Sequence, residues 1–201
     1  MWSGRVLDIG CGNQTFKKPF EAMGLKYYGI DRRIVSEVKT NENGIDKRKD
    51  GVDVDKQKLP CHDNVFSLVF VKSVLEHCHD PLYVLSEVFR VLRPGGRCIC
   101  LSPDWVSQFK TYFDCMEHRT PITCKGLDGV LRLTGFCEVE NEIFLQLPWL
   151  WGHPLWHRLL SFLHVFLPSC FCFRKDGVQR VTYRFLKERM VLGTGVKPKG
   201  L

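Results

Sequence analysis

Nowhere in the 201 residues is there an uninterrupted apolar run of the ~20 residues needed to cross a bilayer, so an ordinary spanning helix is not expected. No two of the ten cysteines are separated by exactly two intervening residues, so there is no Cys-x-x-Cys pair of the zinc-ribbon or thioredoxin type. No signal-peptide pattern is present either: Met1-Trp2-Ser3-Gly4-Arg5 leads straight into an apolar strand, without a basic region, hydrophobic region or cleavage site. A reduced, cytoplasmic setting is therefore expected, with the cysteines as packing residues. Internal repeats and low-complexity segments are also lacking. With 44% hydrophobic and 25% charged residues, the chain reads as one globular domain over 1–201.

The net charge of +7 is unevenly placed. Residues 149–201 hold nine Lys/Arg against two Asp/Glu, leaving 20 against 20 for residues 1–148. All of the excess belongs to the last quarter.

The remainder alternates between strand and helix patterns, as parallel sheets covered on both faces do. Strands are expected near Arg5–Ile9, Lys26–Ile30, Val52–Asp55, Ser67–Val71 and Arg97–Leu101. Leu82, Leu85, Val88, Phe89 and Leu92 recur at helical spacing after Asp80-Pro81, a capping pair, and Pro94-Gly95-Gly96 is expected to stop that helix. A helix over Gly126–Leu133 ends at Gly135, a strand follows through Glu138–Leu147, and Met190–Val196 suits an antiparallel last strand. The fold class is thus α/β: a Rossmann-like, doubly wound, mostly parallel sheet of seven strands with an antiparallel last strand, plus an apolar helical insertion over 149–188.

The strongest local signal is VLDIGCGNQ at 6–14 followed by YYGID at 27–31. Glycines at a strand-to-helix turn let a ligand approach the backbone, and an acidic residue about 20 positions on accepts from ribose hydroxyls; Gly10, Gly12 and Asp31 meet both needs. A nicotinamide domain would place a third glycine where Asn13-Gln14-Thr15 stand. Asp8, two residues before the first glycine, would repel a pyrophosphate and suits a positively charged ligand.

VLDIGCG, YYGID, VDKQKLPCHDNVFSLVFVKSVLEH and HDPLYVLSEVFRVLRPGG, in this order and spacing, resemble the class I S-adenosylmethionine-dependent methyltransferases, in the group that includes ubiquinone and menaquinone biosynthesis enzymes. The resemblance spans about residues 5–147. It implies S-adenosylmethionine as cofactor, with Asp8, Gly10 and Gly12 along its methionine part and Asp31 on the ribose. It further implies Asp55 at the adenine amino group with Lys56 beside it, and Val71 and Lys72 closing the pocket beneath the sulfur. Three features depart from the family: Gln14 stands at a usual glycine, Ser67 at a usual aspartate, and the sequence opens at the first strand without the helix that often precedes it.

Two histidines are candidate catalytic groups. His77 follows the fourth strand, at the end where open α/β sheets bind ligands, and imidazole is a side chain suited to general-base work. His118, in HRTPIT, falls in a segment resembling the acceptor side of family members that modify glycans or lipid-linked intermediates. The expected reaction is methyl transfer to oxygen of a small, lipid-like or saccharide acceptor; a noncatalytic binding or scaffolding member of the same fold is the alternative. Cys115, His118, Cys124 and Cys137 match no usual zinc spacing, so no metal is expected.

After Pro148 comes WLWGHPLWHRLLSFLHVFLPSCFCF, whose tryptophans and neighbouring Arg174, Lys175 and Arg180 suit a helix lying at an anionic membrane surface. Peripheral membrane contact through 149–180 is expected on that ground. A cap over the acceptor pocket is the competing reading. Nucleic acid ranks third, since the aromatics are not interleaved with the cations.

Overall fold

The computed structural model describes residues 3–32, 51–146 and 189–200. Among them six strands form one sheet: β1 (Gly4–Ile9), β2 (Leu25–Ile30), β3 (Phe66–Lys72), β4 (Leu92–Pro103), β5 (Cys137–Leu145) and β6 (Arg189–Val196), in the order β2-β1-β3-β4-β6-β5. The first four are parallel, and β6 runs antiparallel to both β4 and β5. The expected antiparallel last strand is therefore present, between its neighbours rather than at an edge. From β1 the chain pairs β2 on one side and β3 on the other, so the order reverses at β1. Ligands of open α/β sheets bind at the carboxyl ends of strands beside such a reversal.

Because parallel strands are buried on both faces, they read as near-continuous apolar runs. Alternation sends Leu7, Ile9, Val69 and Val71 to one core and Val6, Leu68 and Phe70 to the other. The first core is closed by α2 (Pro81–Val91), whose Val84, Leu85, Val88 and Val91 form a buried stripe, and by Leu127 and Leu131 of α4 (Cys124–Thr134). Asp80 caps α2 by accepting the Tyr83 N–H at 3.0 Å, and Gly135 ends α4 in the left-handed conformation at φ 104°. The second core is closed by α1 (Lys17–Ala22), where Phe16 and Phe20 stand edge-on to Phe70 at 5.1 and 5.5 Å. A further short helix, α3, spans Trp105–Gln108.

Two expectations need correction. Val52–Asp55 is not a strand: Val52 makes one backbone bond to Asp31, and the chain then turns, with Lys56 and Gln57 both donating to the Asp53 carbonyl. Six strands, not seven, are found among the described residues. Pro94-Gly95-Gly96 does not end α2 either. Leu92 already pairs with Phe66, and the following residues bulge out before Arg97 pairs with Leu68. Gly95, at φ 75°, donates to the Lys197 carbonyl, and Lys197 N–H returns to Gly96.

The end of α2 has an unforeseen plug. Lys197 Nζ donates to the carbonyls of Phe89 and Leu92 and to Asn64 Oδ1, each at 2.8 Å, supplying a cation where helical carbonyls lack partners. Ser67, at the opposite end of β3 from the reversal point, exchanges hydrogen bonds with the Arg5 backbone, so its departure from the family lies away from any ligand crevice. Cys98 and Cys100 share one buried side of β4. The proposed insertion at 149–188 lies outside the described residues. No helix among the described residues is long and apolar enough to cross a membrane.

Candidate active site

The turn after β1 is built by backbone constraint. Gly10 and Cys11 donate to the Ile30 carbonyl at 2.8 and 3.1 Å, drawing the turn against the end of β2. At Gly10, φ is 78° and an added Cβ would fall 2.3 Å from Val74 Cγ2, so only glycine fits. Gly12, at φ 45°, would project its Cβ into open space, which is the room a ligand needs. Its N–H donates to Asp31 Oδ2 at 3.1 Å, joining the elbow to the acidic residue that follows β2. Gln14 keeps the left-handed turn at φ 56° without the family's glycine.

Beneath this elbow lies a cavity of about 330 Å³, within the range of small-molecule sites. Its walls come from the elbow, from residues 30–32 and 52–55, from Ser73, Val74, His77 and Cys78 after β3, and from Glu117. Asp31, Asp53, Asp55 and Glu117 line it together with Arg32, an acidic balance that favours a cationic ligand.

These carboxylates are held differently. Asp55 accepts the His79 and Asp80 N–H groups through Oδ1, at 2.8 and 3.2 Å, and meets His79 Nδ1 through Oδ2 at 2.7 Å. Burial alone would raise its pKa, but these bonds hold it below the ordinary carboxylate range. Both oxygens thus brace the turn that leads into α2. Asp53 instead has Arg32 at 3.8 Å and Lys56 at 3.6 Å.

Of the residues singled out from sequence, Gly10, Gly12, Asp31, Asp55 and His77 line the cavity. Asp8, Lys56, Val71, Lys72 and His118 are not among its lining residues. Asp8 sits on the other face of β1 from Ile9, 1% exposed, accepting the Tyr27 hydroxyl at 2.7 Å. Burial pushes its carboxyl up to about 6; the Tyr27 bond opposes this, the Asp31 charge adds to it and Lys72 subtracts. Val71 is buried in the first core, and Lys72 turns its ammonium over the Phe16 ring at 5.8 Å. Lys56 is exposed beside Asp53. Sequence reasoning missed Asn13, Asp53 and Glu117, and it stopped two residues short after β3, where Ser73 and Val74 form the wall. Val52-Asp53-Val54-Asp55 offered two acidic candidates, and the family pattern pointed to the second.

Two loops meet at one end of the cavity. Arg119 and Thr120 donate to the Glu76 carbonyl, and Thr120 Oγ1 donates to the Cys78 carbonyl at 2.7 Å. This stitching brings His77 and His118 together, with ring centroids 4.9 Å apart. His77 Nδ1 lies 3.2 Å from the Glu117 carbonyl, which as an acceptor fixes the proton on Nδ1 and leaves the lone pair on Nε2.

The methyltransferase domain model matches residues 7–100, from the elbow strand into β4. Over that stretch the chain carries a methyltransferase domain of the class I S-adenosylmethionine-dependent type. Among curated relatives of this chain, the ubiquinone/menaquinone biosynthesis C-methyltransferase of Desulfotalea psychrophila is 34% identical over 106 residues, covering 49% of this chain and 41% of that one. A ubiquinone biosynthesis O-methyltransferase of Cereibacter sphaeroides is 28% identical over 172 residues, 74% of this chain and 67% of that one. The chain therefore spans less than half of the first relative's length. Phosphoethanolamine N-methyltransferase 2 of Haemonchus contortus, solved with S-adenosyl-L-methionine, shares the fold at a TM-score of 0.64 and 19% identity, over 98% of this chain and 50% of that one. The methyltransferase fold and the family's cofactor agree with an acidic cavity at the β1 reversal.

Proposed function

We propose that this chain transfers a methyl group from S-adenosylmethionine to an oxygen of a small, lipid-like acceptor. The observation that carries the reading is the elbow geometry: Gly12 opens onto the cavity while its N–H is fixed to Asp31. The residues present suit the cofactor, since an unfilled glycine cradle meets a wall rich in carboxylates. Gly10 and Gly12 would lie along its methionine part, with Asp8 acting on its positive charge from behind the elbow. Asp31 would hold the ribose, and Asp53 and Asp55 would border the adenine, with Lys56, Val71 and Lys72 as outer support. When bound, the cofactor supplies the electrophilic methyl group of a displacement reaction.

The chain's own part is to align the acceptor and accept one proton. His77 lines the cavity, and with Nδ1 held by the Glu117 carbonyl its Nε2 is left to take the hydroxyl proton, while His118 packs beside that ring. The lipid-like acceptor is supported by the names of the relatives, which act in ubiquinone and menaquinone biosynthesis. The basic, tryptophan-rich stretch 149–180 would bring the domain to an anionic surface where such acceptors reside. The test is incubation of the full chain with deuterated-methyl cofactor and lipid extract, followed by mass spectrometry. A labelled methyl ether that disappears in His77→Gln is expected; label only in water-soluble saccharides, or none, overturns the proposal.

A further inference from the structure

The loop pair described above brings together more than two imidazoles. His77, Cys115 and His118 each offer a ligand atom, and these atoms all lie within 4.8 Å of one another. Zinc bound to nitrogen at about 2.0 Å and to sulfur at about 2.3 Å holds its ligand atoms roughly 3.3–3.6 Å apart, so closing the set needs a shift of about 1 Å. We propose that His77, Cys115 and His118 form a binding site for a divalent transition-metal ion of the zinc class.

The support around these residues is of the kind metal sites use. Ligating histidines ordinarily donate their second nitrogen to a carbonyl or carboxylate, which fixes the tautomer. His77 Nδ1 faces the Glu117 carbonyl at 3.2 Å, and His118 Nδ1 faces the Tyr112 carbonyl at 2.5 Å. Each arrangement places the lone pair on Nε2. Tyr112 is itself pinned: its ring lies 4.6 Å from that of His118, and its hydroxyl donates to the Thr120 carbonyl and accepts the Ile122 N–H. His118 N–H bonds to the Cys115 carbonyl at 3.0 Å, so a single turn carries both Cys115 and His118.

Cysteine with two histidines is a borderline-soft set that suits zinc, cobalt or copper better than magnesium or calcium. Three protein ligands leave one position open, and because His77 lines the cavity, that position would take an oxygen or sulfur atom of a ligand there. The site does not depend on the methyl-transfer reading. Where both hold, they exclude each other within one molecule, since a metal ion occupies the lone pair that would accept the acceptor's proton.

The experiment is titration of the full chain, stripped with chelator and kept in a thiol-free reductant, with cobalt(II) and then zinc(II), without any cofactor. One equivalent of cobalt should produce the visible bands of a four-coordinate site and a thiolate-to-cobalt absorption, both removed by zinc. Cys115 is exposed, so Cys115→Ser keeps the fold; it should abolish the thiolate absorption and weaken zinc binding at least ~10-fold. His118→Gln should weaken zinc binding similarly, whereas Cys124→Ser and Cys137→Ser should leave the spectrum unchanged. No cobalt spectrum, or one that survives Cys115→Ser, overturns the proposal, while cofactor binding measured on the same stripped protein reports separately on the methyltransferase reading.

Discussion

Replacing Asp8 by asparagine should make the protein more stable and less able to hold its ligand. In the fold, the Asp8 carboxyl titrates near about 6, chiefly because burial disfavours its charged form. In the unfolded chain it titrates near ~3.9, so over about pH 4 to 6 the folded state binds the extra proton. A group whose folded pKa is raised contributes stability below its unfolded pKa and loses it as pH rises through the folded value. Two units at ~1.4 kcal/mol each make the ionised carboxylate cost about 3 kcal/mol by neutral pH. Asparagine carries no charge at any pH, and its amide oxygen can still accept the Tyr27 hydroxyl. Allowing for one new N–H2 group in a buried site, Asp8→Asn should be more stable by about 2 kcal/mol at pH 7.5, a rise of ~4–8 °C in Tm. Urea unfolding of both proteins at pH 4.5 and 7.5 isolates the effect, because every other titrating group is shared. The same carboxylate feels the charge of Asp31 on the cavity wall, so a cation bound there should draw its proton off. Wild-type affinity for S-adenosylmethionine should therefore rise with pH through ~6 and the variant's should not. Identical pH slopes for the two proteins, or a less stable variant at pH 7.5, would refute this reasoning.

Three further outcomes are expected. Gln14→Gly relieves a left-handed backbone at φ 56° and should raise stability by about 1 kcal/mol in thermal unfolding, with the elbow unchanged. Lys197→Met strips the plug from the end of α2, leaving the Phe89 and Leu92 carbonyls without their donor; a loss of about 2 kcal/mol in urea unfolding is expected. Asp55→Asn should lower Tm through the turn that leads into α2 and change cofactor affinity little, whereas Asp53→Asn should do the reverse; calorimetry beside a melting curve separates them.

What was legible in the sequence follows from how local each signal is. Asp80-Pro81 announced the start of α2 and Gly135 the end of α4, because capping depends on a few neighbouring residues. The glycine elbow and Asp31 were legible for a similar reason: left-handed turns leave a compositional mark. Val52–Asp55 misled because alternating Val and Asp imitate a strand, while the Asp53 carbonyl draws the chain into a turn. Asp8 stood out in sequence as a carboxylate next to the elbow, but its burial with Tyr27 depends on which face of β1 it takes, and Tyr27 pairs with Val6 from another strand. Long-range placements left no sequence mark at all. Lys197 reaches α2 across more than a hundred residues, and His77 meets Cys115 and His118 only because Arg119 and Thr120 bond back to Glu76.

The central claim is that the elbow and the acid after β2 together hold S-adenosylmethionine, and isothermal calorimetry on the wild type and Asp31→Ala tests it most directly. Saturable binding that weakens at least ~10-fold in the variant is predicted, in line with about 1.5–3 kcal/mol for hydrogen bonds to a charged group. No binding heat at millimolar cofactor, or equal affinity in both proteins, would contradict the account.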